Sequence, residues 1–390
     1  MWYNPPSVYN AHVWMSSLFF SLFMYSGFFG VFFDFPDYLS YIYLVAFFIL
    51  SLFFIKTLHI YLVFIGVGVL LLFVFFSFFS FYADNEYLKS GKLLLILFFS
   101  SYSAAFFCSK MYSIKQLAFI LSMLSMIISL LALSKGGIGS DVRLMQGDGN
   151  PIWIARCSGI SALYFFIKMK KGNKTVLELL LFMLSLLVIF LSGSRGPLAS
   201  MILAIIIWLM LFDVRSVSKL MSAIFLLSIT IVCSYFLLPD LMVERVFGFI
   251  SGNFSSSDEY RLYLYKLAWS IFTGNPMGIG LGGFSEYALL PYPHNLVLEI
   301  LSELGFLVMA LFSLILFFVF FKSAKIIKRY YQNNIEVNFF YCLLIFSFTN
   351  AMFSGDLTSP KEFYFTLFFF IYFIYLSGSK NNETSTTRYG

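Results

Sequence analysis

His294 lies in the stretch LLPYPHNLVLEILSELGFLVMALF, residues 289–312, directly behind Tyr292 and Pro293 and at the mouth of a long apolar run. An imidazole in that position can take a proton at neutral pH, donate a hydrogen bond or bind a metal ion. The two other histidines, His12 and His59, are remote in sequence, which argues against a metal site. Downstream, Asn295, Glu299 and Glu303 recur at spacings of four, so the helix that follows opens with a polar stripe. Carboxylates inside an apolar helix usually face a cavity or a partner rather than lipid. For Glu303 the plainer reading is solvation of a cavity rim.

Arginines recur at comparable boundaries. In LSGSRGPLAS, residues 191–200, Gly193 suits a left-handed helix end, Gly196 an N-cap and Pro197 the first helical position. That tight turn holds Arg195 beside a helix N-terminus, where backbone N–H groups favour an anion. The alternative is a hairpin whose arginine reaches out to lipid phosphates. In DEYRLYLYKLAWSIFTGNP, residues 258–276, an acidic start and a Gly-Asn-Pro stop bracket a helix. Arg261, Tyr265 and Trp269 share one face of it at spacings of four, a set able to hold a phosphate and stack a sugar ring. An interfacial helix anchored by aromatic rings is the competing reading. GDGNPIWIAR, residues 147–156, adds Asp148 and Asn150 at a surface and Arg156 just inside an apolar segment, with Arg143 upstream on the same loop. An arginine inside a span is costly and tends to be functional, although one turn from the surface it can also snorkel. GNPMGIGLGGF, residues 274–284, has glycine spacing like a nucleotide loop but no preceding strand. Its glycines are better suited to close packing, with an approach of backbone N–H groups to a phosphate as a second use.

The elements that must position these residues are dictated by composition. Hydrophobic residues make up 60% of 390, charged residues 11%, and 53 residues are Phe. A water-soluble chain could not bury that much apolar surface, and stretches of about 20 apolar residues recur throughout, so the solvent is a bilayer. The first stretch is too long and too closely followed by others for a cleaved signal peptide. Cys108, Cys157, Cys233 and Cys342 lie in apolar segments without metal or disulfide spacing, as packing residues do. The fold class expected is an all-α polytopic membrane protein, one integral domain over residues 1–390. About twelve transmembrane helices are expected, at 13–33, 39–55, 59–82, 92–108, 114–133, 151–167, 175–192, 197–212, 218–238, 294–321, 338–353 and 361–377. One long loop, 239–293, carries the amphipathic helix, and a polar tail, 378–390, reads as disordered.

With the N-terminus in the cytoplasm, 15 of the 25 Lys and Arg residues fall on cytoplasmic segments, including every long basic cluster. Both termini are then cytoplasmic. The pI near 8.9 reflects this sorting across a membrane and not a nucleic-acid partner. The long loop, the SGSRGP turn, the GDGNP loop and His294 all fall on the extracytoplasmic side, so a site built from them opens outward.

SGSRGPL, then YRLYLYKLAW leading into NPMGIGLGGF, then YPHNLVLEILSELG, in that order, resembles the O-antigen ligase and O-antigen polymerase superfamily over residues 191–305. The resemblance implies a GT-C-type membrane glycosyltransferase in the bacterial inner membrane, working without metal or other cofactor at the periplasmic face. It implies undecaprenyl-diphosphate-linked glycans as donor and acceptor, with membrane lipids around them and room for a chain-length regulator protein. Carried over by motif, Arg195 and Arg261 would hold the donor diphosphate and His294 would activate or orient the acceptor hydroxyl. Arg156, Arg143, Tyr265, Trp269, Asn295, Glu299 and Tyr292 complete the expected substrate contacts. Within the superfamily the polymerase reading is preferred. Transfer of the glycan to lipid A-core by a ligase is the alternative, and a lipid-linked oligosaccharide flippase or transporter is the reading from a different class.

Overall fold

The computed structural model describes residues 7–26, 28, 38–52, 68, 86–109, 111–135, 137–138, 144–145, 151–172, 175–213 and 256–386. Within these the regular secondary structure is helical apart from a two-residue antiparallel ladder, Gly137–Ile138 with Leu144–Met145. Five helical runs are long and apolar enough to cross a membrane: Lys89–Ser109, Ser113–Ser134, Pro151–Lys171, Arg195–Phe212 and Leu296–Tyr330. Shorter apolar helices occupy Ala11–Met24, Leu39–Ser51, Val176–Leu191 and Ile335–Ala351. The chain is an integral membrane protein. The expected spans 59–82, apart from Gly68, and 218–238 lie outside the described residues, as do Arg143, Asp148, Asn150, His59 and Cys233.

Two compact units make up the chain. The first comprises Met1–Lys56, Met111–Phe254 and Tyr331–Phe346. Its helices are α1 (Ser7–Met24), α2 (Tyr38–Leu52), α4 (Met111–Lys135), α5 (Pro151–Lys171), α6 (Val176–Leu191) and α7 (Arg195–Trp208), the last followed by a π-helical turn, Leu209–Asp213. α5 is the hub, packed on α4, α6 and α7. Small hydroxyls let these apolar helices meet closely: Ser129 and Ser158 share a hydrogen bond of 2.7 Å, Ser161 and Ser185 one of 2.8 Å. Each of these hydroxyls also bonds a carbonyl of its own helix, so none is left unsatisfied in an apolar medium, where that would be costly. Trp208 donates its indole N–H to Asn338 Oδ1 at 2.8 Å, so the largest buried side chain of the unit is also satisfied.

The second unit comprises Thr57–Lys110, Ser255–Tyr330 and Ser347–Gly390. It contains α3 (Glu86–Ser109), α8 (Ser256–Gly274), α9 (Leu296–Glu299), a π-helical turn (Ile300–Leu304), α10 (Gly305–Tyr330) and α12 (Lys361–Thr386). α11 (Ile335–Ala351) gives its residues up to Phe346 to the first unit and the rest to the second. α12 packs on α3 and α10, with Cys108 Sγ donating to the Phe369 carbonyl at 3.3 Å. The last helix continues to Thr386, past Gly378, where the sequence suggests an irregular polar tail. Extending an existing helix costs far less than nucleating one, and no proline interrupts residues 361–386.

Candidate functional site

His294 occupies a backbone conformation that few side chains adopt. Its φ is 59°, the one positive value at a non-glycine among the described residues. Such a residue costs on the order of 1–3 kcal/mol and persists only where neighbours over-determine it. Here the neighbours are explicit. Asn295 is the N-cap of α9: its Oδ1 accepts from Leu298 N at 3.0 Å while its Nδ2 donates to the Met352 carbonyl at 3.1 Å. On the other side the Tyr292 ring stands edge-on to the imidazole, 4.7 Å between centroids. Asn295, expected to touch substrate, thus has both ends of its amide engaged in holding the segment.

The imidazole is half-buried, and its Nδ1 is buried without a hydrogen-bond partner among the described residues. Burial pushes its pKa down to about 4, with the Arg261 guanidinium adding to the effect and the Asp356 carboxylate opposing it. At neutral pH His294 is therefore uncharged and able to accept a hydrogen bond. Arg261 comes from α8, whose helix begins at Ser256 as the acidic start predicts. Leu264, Ala268 and Ile271 bury the adjoining face of α8 against Phe284, Ile279 and Leu298, which leaves the Arg261 and Tyr265 edge beside the His294 segment. Tyr265 donates its hydroxyl to the Met352 carbonyl at 3.4 Å, and burial raises the phenol's pKa. Trp269, expected to join them, is 53% exposed with its ring beside Phe272.

Asp356 escapes a reading by motif. It sits in the loop 352–360 with its carboxylate held by the hydroxyls of Thr358, at 2.7 Å, and Ser359. Tyr364 fixes that loop through a 2.7 Å bond to the Leu357 carbonyl. The clue available in sequence is GDLTSP, an Asp followed by two hydroxyl residues in turn composition.

Glu303 does not solvate a rim. Lys89 of α3 reaches both its carboxylate oxygens at 2.8 Å and lies 2.6 Å from Glu299, with both carboxylates fully buried. The N–H groups of Gly282 and Phe284 also donate to Glu303. Glu299, expected at the substrate, therefore faces Lys89. The rim reading fails because the stripe's partner comes from 214 residues away.

The same π-helical turn explains the glycine-rich loop. A π turn frees main-chain carbonyls, and those of Ser302 and Glu303 accept from Ile279 N at 3.0 Å and Gly280 N at 2.9 Å. Gly278 and Gly305 both have positive φ, and a Cβ on either would lie 2.4 Å from the other strand of this contact. The loop is a packing device, as its glycines suggested. Its second use at a phosphate is overturned at Ile279, Gly280, Gly282 and Phe284, whose N–H groups are already committed to the protein.

Arg195 and Arg156 belong to the first unit. Gly193 has the left-handed φ expected, 60°, and Ser192 closes the turn through its hydroxyl to the Ile189 carbonyl at 2.7 Å. The N-cap is Ser194 and not Gly196. Pro197 consequently sits third in the helix, where its missing N–H is still one of the unpaired first-turn donors. Arg195 opens α7 half-buried. Arg156 lies in the second turn of α5 with its Nε buried.

These features define a helical integral membrane protein with an arginine, a neutral histidine and an oriented carboxylate grouped at the head of an apolar helix. Residues 180–313, about a third of the chain, match the family model described as O-antigen ligase. The match includes Arg195, Arg261 and His294 and supports the O-antigen polymerase and ligase superfamily, whose members are membrane glycosyltransferase-like enzymes of surface-glycan synthesis. No curated protein matches the chain.

Proposed function

We propose that the chain joins lipid-linked oligosaccharide repeat units into a surface polysaccharide by inverting glycosyl transfer at the outer face of the bacterial inner membrane. The observation that carries this reading is the pairing of Arg261 with a neutral, partly buried His294 whose Nδ1 has no hydrogen-bond partner among the described residues. The acceptor hydroxyl attacks the anomeric carbon as the bond to the polyprenyl diphosphate breaks. Its proton passes towards His294, and the departing pair of electrons rests on the diphosphate. A guanidinium fork matches phosphate oxygens, and a preorganised donor aimed at developing charge contributes about 3–4 kcal/mol. His294 with a pKa near 4 is a weak base in the free enzyme. A bound diphosphate offsets the Arg261 charge and raises the imidazole pKa, so basicity appears once donor is in place. Asp356 then faces the imidazolium that forms. Arg195, at the N-terminus of α7, is a second phosphate-binding candidate by its own surroundings, and twelve spans with both termini cytoplasmic give the outward-opening site.

The description of the matching family supports a second reading, transfer of the finished glycan to lipid A-core. One experiment separates them: delete the gene, complement with wild type, Arg195→Ala, Arg261→Ala or His294→Ala at matched membrane levels, and resolve the polysaccharide by length. Lipid A-core capped with a single repeat indicates a polymerase, and polymer accumulating on undecaprenyl diphosphate indicates a ligase. A ladder unchanged by deletion rejects both and returns the transporter reading.

A further inference from the structure

On the flank of α8 next to Arg261 and Tyr265 the apolar residues are open to their surroundings, Leu262 44% and Trp269 53% exposed and Phe272 half-buried. A helical repeat of about 3.6 residues places Leu262, Trp269 and Phe272 along it. Lys266, Ser270 and Thr273 mark the exposed polar side. Past the end of α8 the chain turns through Pro276 to Met277, which is 62% exposed. The Pro276 carbonyl accepts from Phe306 N at 2.9 Å, and a Cβ on Gly305 would strike the Met277 carbonyl carbon at 2.4 Å. Phe306 is itself 57% exposed and lies in the Leu296–Tyr330 run that is long enough to cross a membrane. The uncovered flank of α8 thus continues through Met277 onto the head of a span.

We propose that Leu262, Trp269 and Phe272, with Met277, rest in the boundary between lipid headgroups and acyl chains, so that α8 lies on the same leaflet that receives the head of α10. Trp is favoured at that depth because its ring is apolar and its N–H can stay wet. An amphipathic helix of this kind immerses its apolar face by about 5–10 Å. Arg261, on the adjoining edge, is then held at the level of lipid phosphates. The placement does not depend on the glycosyl-transfer reading.

The test is fluorescence of the full chain reconstituted in phosphatidylcholine vesicles, taken as wild type minus Trp269→Phe so that the other four tryptophans cancel. Lipids brominated near the headgroup end of the chain should quench the Trp269 component about twofold more than lipids brominated near the bilayer centre, with iodide in the water having little effect. Quenching by iodide without quenching by brominated lipid overturns the proposal in favour of an aqueous face. Quenching by neither places the flank against protein, and brominated-lipid quenching abolished by added polyprenyl phosphate assigns it to an isoprenoid tail; both also overturn it. Trp269→Tyr, taken as a second difference, removes a folding loss as the explanation.

Discussion

Replacing Lys89 with Met should be the most damaging single change at the head of α10. Lys89 holds two carboxylates at once, with side-chain exposure of 14% against 0% for both partners. Removing one partner of a buried ion pair costs about 3–5 kcal/mol, and here the loss leaves two buried carboxylates facing each other, at the upper end of that range. The two carboxylates should not respond alike. Glu303 accepts two bonds from Lys89 and further donors from Gly282 and Phe284, so Glu303→Gln turns an amide N–H₂ towards an ammonium or a backbone N–H and costs about 3 kcal/mol. Glu299 makes one 2.6 Å contact in a cluster that already holds one more carboxylate than ammonium. Glu299→Gln removes that excess and should cost under about 1 kcal/mol. The triple change Lys89→Met, Glu299→Leu, Glu303→Gln removes every charge, keeps an acceptor for the loop N–H groups and should recover most of the single-mutant loss. Thermal unfolding of the purified protein in detergent ranks the four. If Glu299→Gln destabilises as much as Glu303→Gln, or the triple variant is no better than Lys89→Met, the clamp is wrongly described.

Gly278→Ala and Gly305→Ala should each destabilise by more than about 1 kcal/mol, since both combine a positive φ with a 2.4 Å backbone approach, whereas Gly274→Ala, with open space around it, should stay within about 0.5 kcal/mol. Melting curves or limited proteolysis near residue 277 check this. His294→Asn should leave the melting temperature near wild type while abolishing glycan extension, because Asn tolerates the left-handed conformation; His294→Val should lose both, as a β-branched residue there is strained. Titration of ¹³C-labelled histidines should find His294 protonating near pH 4, and Arg261→Gln should move that midpoint upwards by removing one of its two depressing causes. The unfolded chain binds this proton from about pH 6.5, so the depressed value makes the folded state lose stability as pH falls from 6.5 towards 4, and a free-histidine midpoint in the native protein would refute the burial.

Much of the scaffold is legible because a bilayer imposes long apolar runs, and the predicted helix at 258–276 agrees with α8 to within two residues at either end. His294 is conspicuous for the same reason, as a polar residue at a boundary. Lys89 and Asp356 are not conspicuous. One reads as a loop lysine and the other as a turn aspartate, and their roles come from contacts with a helix head remote in sequence. Periodicity puts Glu299 and Glu303 on one face, where both meet Lys89, but a stripe at spacings of four is silent about what covers that face. The π turn between them cannot be read from composition, although the Gly305 that ends it and the glycines packed on it are visible.

The strained conformation of His294 connects these pieces. A lipid-linked diphosphate has a fixed depth at the membrane surface, whereas the acceptor hydroxyl belongs to a mobile glycan. In the proposed reaction, a side chain that meets both has to be referenced to the bilayer and not to the sugar. His294 stands two residues ahead of a membrane-length helix, and its left-handed turn is over-determined by the Asn295 cap, the Tyr292 ring and the Met352 carbonyl. The Lys89 clamp and the Gly278–Gly305 contact fix the head of that helix in turn. Backbone strain of a few kcal/mol concentrated at one residue is what such bracing can hold, and loosening the brace at Lys89 should therefore erode the placement of His294 before it unfolds the spans.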